Sequence, residues 1–317
     1  MALPKVASAD VARVRDVPEA RRVPRWRRRG LAWALTPYAF LAIPVVLLLV
    51  FTYIPVVNLF AYSVTSWDGL NPTKEFIGLD NYVEIGTRPE LFGVLKNSLY
   101  YVGASFIQIG LALYFATILS FNTRFRNLFK GILFFPFLIN GVAIGMIFLF
   151  FFQPGGTLDS ALKLVGLESL TQQWMGDPGV VNYSLASTSV WRYMGLNFVL
   201  FLGAIQSIPS HLYEAAELDG ANRWDQFRYL ILPGIKPVVG LSFILAISGS
   251  LSVFEIPYIM TGGANGSETF VIQAVNFAFK YRKFGLASAM AVVLLLIILL
   301  VTWVQRRIAP DEKVDLS

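Results

Sequence analysis

Six stretches of this chain, at residues 36–60, 93–119, 129–152, 183–207, 238–258 and 285–304, are each long and apolar enough to cross a lipid bilayer. A hydrocarbon core about 30 Å thick takes roughly 20 apolar residues in an α-helix. No water is available there, so every backbone N–H and C=O has to be satisfied inside the segment, and open sheet edges are ruled out. These spans predict an all-α integral membrane protein with six transmembrane helices. Composition agrees, with 56% of the 317 residues apolar and 15% charged, where a soluble chain carries about 25% charge. The fourth and fifth spans are the least pure, because they hold Arg192 and Glu255. Pro37, Pro44 and Pro55 fall in the first span, where neighbouring helices can re-satisfy the freed carbonyls.

Charge asymmetry orients the spans. With six crossings, the N-terminal tail, the 2–3 loop, the 4–5 segment and the C-terminal tail share one side. That side holds 18 of the 26 lysines and arginines, among them Arg27, Arg28, Arg29, Arg124, Arg126, Lys130, Arg223, Arg228, Lys236, Arg306 and Arg307. Positive charge favours the cytoplasm, so both termini and the 4–5 segment are expected there. The expected layout is a basic cytoplasmic N-terminal tail at 1–30, a six-helix domain at 31–307 and a cytoplasmic C-terminal tail at 308–317. Residues 21–29 with the apolar run that follows mimic a secretory signal peptide. That run is too long for one and no cleavage site precedes Ser63, so the first helix is expected to be retained. The basic run suits anionic membrane lipid rather than nucleic acid.

Several chemistries are excluded. Cysteine is absent and His211 is the single histidine, so thiol chemistry and cysteine metal sites are ruled out. A membrane-embedded enzyme needs clustered His, Asp or Glu at catalytic spacing, and that constellation is missing. No Gly-Lys dipeptide occurs, so there is no phosphate-cradling loop and no cofactor is expected in the chain itself.

The polar segment at 208–237 is the most specific signal. Ser210 can cap a short helix carrying Glu214, Ala215, Ala216 and Glu217. Gly220 can end it in a left-handed turn. Asn222 can cap a second helix with Asp225 three residues on and Phe227, Leu230 and Ile231 on its apolar side. Pro233 is expected to stop that helix, and Pro237 to open the next membrane helix. A helix–glycine–helix elbow at a membrane surface reads as a docking piece for another protein.

This segment resembles the "EAA" loop of the permease subunits of binding-protein-dependent ABC importers. Glu214, Ala215 and Ala216, then Asp219, Gly220 and Ala221, then Phe227, Leu232, Pro233 and Pro237 stand in the family's order. Leu230 departs from the isoleucine more usual there. Further blocks are similar to the carbohydrate-uptake branch: Gly78, Leu79, Asn81 and Tyr82 before the second span; Asn97 at its start; Ile208, Pro209, Leu212 and Tyr213 before the elbow; Thr261, Gly262 and Gly263; and Gly285 to Ala289. Within that branch the chain resembles the first permease of a heterodimeric pair, of the maltose, glycerol-phosphate and lactose type, without a large inserted periplasmic domain.

The resemblance implies the type I ABC importer permease fold and transport of a sugar or oligosaccharide. It implies as partners a second permease subunit, a dimer of ATP-binding subunits that use the ATP, and an extracytoplasmic solute-binding protein. Glu214, Ala215, Ala216, Asp219, Gly220, Ala221, Phe227, Leu232 and Pro233 would couple to the ATPase. The substrate cavity would lie on the spans flanking the elbow, with Ser189, Arg192, Tyr193 and Leu196 on one and Ala246, Gly249, Ser250 and Val253 on the other. Of these, Ser189, Arg192, Tyr193 and Ser250 offer hydrogen-bonding groups, unlike the asparagine-rich maltose-type cavity. A polyol or sugar phosphate such as glycerol 3-phosphate is the alternative solute. A secondary transporter is the alternative class, and it would show internal repeats and several intramembrane carboxylates. No convincing repeat is present, and Glu255 is the one carboxylate clearly near a span interior.

Overall fold

The computed structural model describes residues 31–121 and 125–308. The N-terminal tail at 1–30, Arg124 and residues 309–317 of the C-terminal tail lie outside the described residues. Contacts divide the chain at Val56 into two compact units. In the first, α1 (Leu31–Leu48) runs through a π-helical turn at Leu49–Tyr53 into the start of α2 (Ile54–Ser63). Every described side chain from Thr36 to Pro55 is exposed. A helix apolar on all sides and open on all sides suits lipid.

The second unit carries α3 (Asp80–Thr87), α4 (Pro89–Gly93), α5 (Ser98–Ser120), α6 (Arg126–Leu138), α7 (Gly141–Phe152), α8 (Thr157–Leu164) and α9 (Val181–Gln206). The elbow follows as α10 (Ser210–Leu218) and α11 (Arg223–Asp225), then α12 (Leu232–Leu251), α13 (Glu255–Thr261), α14 (Phe270–Val275) and α15 (Phe284–Ile308). Among the described residues, four helices are long and apolar enough to cross a membrane, and six if each of two bent pairs is one span. They cover all six predicted spans, but two differ in form.

The third predicted span, 129–152, is two helices that meet at 98°. Ile139 is extended, and the side chain of Asn140 accepts from the amide of Val142 at 2.9 Å, so a new helix starts there. Hydropathy registers length and not direction, and one asparagine cap outweighs it.

The second elbow helix is not stopped by Pro233, and Pro237 does not open a new helix but lies inside α12. Helix continues from Arg223 into α12 through a π-helical turn at Gln226–Ile231. There the amide of Leu232 reaches back to the carbonyl of Phe227, one residue further than in an α-helix. That widening immediately precedes a ring that has no N–H to give and would press on the turn before it. The first unit uses the same device before Pro55, where the amide of Ile54 donates to the carbonyl of Leu49. The fifth span breaks instead at Ser252–Phe254.

Small residues set the packing. Ala112 and Ala116 on α5 are fully buried against Phe198, Phe201 and Ile205 of α9, and Ile231 and Ile235 close the same cluster. Without a hydrophobic drive between helices in lipid, close backbone approach is what holds them together. On α9, a Cβ at Gly195 would run into the carbonyl of Leu133 on α6.

The ends remote from the elbow are stapled by asparagines from the family-like blocks. Asn97 donates to the carbonyls of Gly266 and Glu268 at 2.9 and 2.7 Å. Asn81 donates to those of Ser63 and Thr65 at 2.8 and 2.9 Å. Each side chain satisfies carbonyls that no helix could.

Candidate functional site

The elbow is built by local hydrogen bonds. Gly220 sits at φ +84°, in the left-handed region. Its amide donates to Glu217 at 3.1 Å and that of Ala221 to Ala216 at 2.9 Å, which completes a Schellman close on α10. Asn222 then accepts from the amides of Trp224 and Asp225 at 2.8 and 3.1 Å, while Asp225 accepts from the amide of Asn222 at 3.1 Å. This is the predicted capping box. Ser210, expected to cap, makes no such bond: Pro209 holds the cap position and Ser210 is already helical. The preceding proline fixes the entry, so the hydroxyl is not needed.

The two elbow helices are also tied side to side. Gln226, 2% exposed, donates to Glu217 at 3.3 Å. Phe227 packs toward the core cluster with its ring 5.4 Å from that of Trp224. Glu214, Ala215, Leu218, Asp219 and Gly220 are exposed, and Leu218 is 90% so. The residues singled out for docking therefore divide. Glu214, Ala215, Asp219, Gly220, Leu232 and Pro233 face outward, Ala216 and Ala221 are half-buried, and Phe227 anchors the elbow from within.

Between the two spans that flank the elbow lies a cavity of about 390 Å³. α9 contributes Ser189, Tyr193, Leu196 and Asn197; α12 contributes Ser242, Ala246, Gly249 and Ser250; α5 contributes Tyr101, Ser105 and Gln108. Val253, Phe254 and Glu255 close the end beyond Ser250. The hydroxyls of Tyr101 and Ser242 are buried without a hydrogen-bond partner among the described residues. Ser189 and Ser250 donate to their own helices, at 3.4 and 2.7 Å, and their oxygens keep lone pairs to accept. The wall is mostly apolar with a few converging hydroxyls and amides, which is the make-up of a small-molecule site. Among the described residues no group of acidic, histidine or cysteine side chains could hold a metal ion.

Residues 108–314 match the family described as binding-protein-dependent transport system inner membrane component. The chain belongs to that family. A probable ABC transporter permease protein of Bacillus subtilis, YurN, is 34% identical over 86% of this chain and 95% of its own length. The arabinooligosaccharides transport system permease protein AraP of the same organism is 31% identical over 95% and 96%. Chains of two crystal structures of bacterial alginate ABC transporters match with TM-scores of 0.73 and 0.77, at 24% and 20% identity. They cover 86% and 88% of this chain and 96% and 97% of theirs. That likeness is one of fold, and it is the importer permease fold that the elbow implied.

In this permease the structure brings Ser189, Tyr193 and Ser250 to one cavity, with Leu196, Ala246, Gly249 and Val253 between them. Arg192 is the exception. It points behind the wall, donates to Glu255 at 2.6 Å and lies 5.1 Å from the Tyr193 ring centre. Sequence reasoning missed Tyr101, Ser105 and Gln108 because α5 was read only as a span. Their spacing along one face was the available signal.

Proposed function

We propose that this chain is the transmembrane permease subunit of an ATP-driven importer for a sugar or oligosaccharide. One observation carries the reading: a mostly apolar cavity into which a few hydroxyls and amides converge lies between the two helices that lead into and out of an exposed elbow. Relatives point the same way, since AraP is a permease for arabinooligosaccharides and a lactose permease of Rhizobium radiobacter is 27% identical over 87% of this chain.

A second permease, two ATP-binding subunits and an extracytoplasmic binding protein complete the machine. The chain itself hydrolyses no ATP. Glu214, Ala215, Leu218, Asp219 and Gly220 meet the ATPase, while Phe227 holds the elbow's angle and transmits its movement to α9 and α12. Both termini and the elbow face the cytoplasm, and the cavity opens alternately to either side. Solute hydroxyls meet Tyr101, Gln108, Ser189, Tyr193, Asn197 and Ser242.

Purification from membranes tests the assembly. An ATP-binding subunit should co-purify, and hydrolysis should rise when solute-loaded binding protein is added. ATP turnover by this polypeptide alone would contradict the reading. Sidedness has its own test, for which the absence of native cysteine leaves a clean background. Cysteine at Thr73 should react with a membrane-impermeant thiol reagent in intact cells and cysteine at Ser210 should not.

A further inference from the structure

Three elements converge at Glu255, which closes the cavity end remote from the elbow on the α12 side. α13 begins at Glu255, α7 begins at Gly141, and α9 brings Arg192 from the level between the lining residues Ser189 and Tyr193. The guanidinium donates to the Glu255 carboxylate at 2.6 Å. The same carboxylate lies against Gly141 so closely that any Cβ there would take its place. One turn on, a Cβ at Gly145 would come within 2.6 Å of Ile259 on α13. Glycines four apart thus let α13 seat on α7.

Both seated helices begin at breaks, after Asn140 and after Ser252–Phe254. They are short rigid pieces attached through non-helical joints, which is how hinged elements are built. The ion pair links them to the continuous helix α9. Glu255 is 40% exposed and lines the cavity, while Arg192 is 12% exposed behind it. Charges inside a membrane domain are expensive and mark function rather than stability. A half-open carboxylate can exchange its partner for water or a solute hydroxyl when the helices part.

We propose that the Arg192–Glu255 pair is the gate that seals the cavity on the side from which solute arrives, with α7 and α13 swinging from α9 when it breaks. The proposal rests on the transport reading above. Glu255 and Arg192 are positioning residues in it, and Gly141 is the seat that lets the carboxylate reach its place.

The test places cysteine at Ala246 on the cavity wall and measures its modification in intact cells by a membrane-impermeant thiol reagent. Uncharged Glu255→Gln and Arg192→Gln should each speed labelling roughly tenfold or more, because either leaves one charge unpaired and removes the link. The exchanged pair R192E/E255R should slow it again, which lost packing alone would not do. Unchanged labelling in both single variants overturns the gate, as does an exchanged pair as fast as E255Q. Loss of assembly in all three variants overturns it too, by making the pair a folding element. Failure of the transport reading shows separately, as a wild-type chain that retains no ATP-binding subunit or as labelling of Ser210→Cys from outside.

Discussion

The elbow and the cavity of this permease are held in opposite ways. Among the described residues the elbow's own hydrogen bonds are short in sequence, the longest joining Glu217 to Gln226, nine residues apart. It meets the bundle through Phe227 and through Arg223, 4.2 Å from the ring centre of Phe121. The cavity is made by three helices from distant parts of the chain, and its charged pair spans 63 residues. An exposed elbow has little buried area to hold its shape, so it relies on caps and a left-handed glycine. A cavity needs no local signature, because its shape is what remains when helices pack. Damage should therefore stay local in the elbow and spread from the cavity walls.

The largest effect is expected where α9, one of the cavity helices, packs on α6. Gly195→Val would drive a branched side chain into the carbonyl of Leu133, an overpacking worth about 3 kcal/mol. The amount of folded protein extracted from membranes should fall sharply and carry the whole complex with it. Normal yield would mean that α6 and α9 can separate freely, and the contrast with the elbow would weaken.

Gly220→Val comes next. A Cβ there meets nothing within 4 Å, so the penalty is backbone strain alone, on the order of 1–3 kcal/mol. The complex should assemble in normal amount and hydrolyse ATP while uptake is lost. Wild-type uptake would remove Gly220 from coupling.

Asn222→Ala removes one cap and frees two amides, a loss of about 1 kcal/mol. Uptake should fall several-fold with no change in yield, and Asn222→Asp should restore it. Equal loss in the aspartate variant would show that the cap is not what matters.

The smallest effect on folding is expected from Tyr101→Phe. Its hydroxyl is buried without a hydrogen-bond partner among the described residues, so removing it should leave thermal stability unchanged or raise it by up to about 1 kcal/mol. Half-maximal uptake should nevertheless need more solute. A drop in melting temperature would show that the hydroxyl is bonded inside the protein rather than kept for a ligand.

The same divide explains what could be read in advance. Gly220 and the Asn222–Asp225 box were legible because their geometry needs only neighbours in sequence. Pro233 misled because a proline normally ends a helix, whereas here a π-helical turn precedes it. Phe227 belonged to the docking motif in the linear pattern, and only the packed cluster of Phe198, Phe201 and Ile235 shows that it points inward. The 98° bend after Leu138 was missed because hydropathy carries no direction, although Asn140 interrupts the apolar run there.

Apolar length, charge asymmetry and one elbow motif determined from sequence alone that this chain is a helical membrane permease with a helix–glycine–helix elbow between its fourth and fifth spans. Each is a property of residues close together, and lipid leaves the backbone no alternative to helix. Tertiary structure decided which polar side chains share a cavity, that Arg192 turns to Glu255 and not to the cavity, and that Gly141 seats the carboxylate. Those outcomes depend on how far helices approach and how they are rotated, which small residues permit but do not specify.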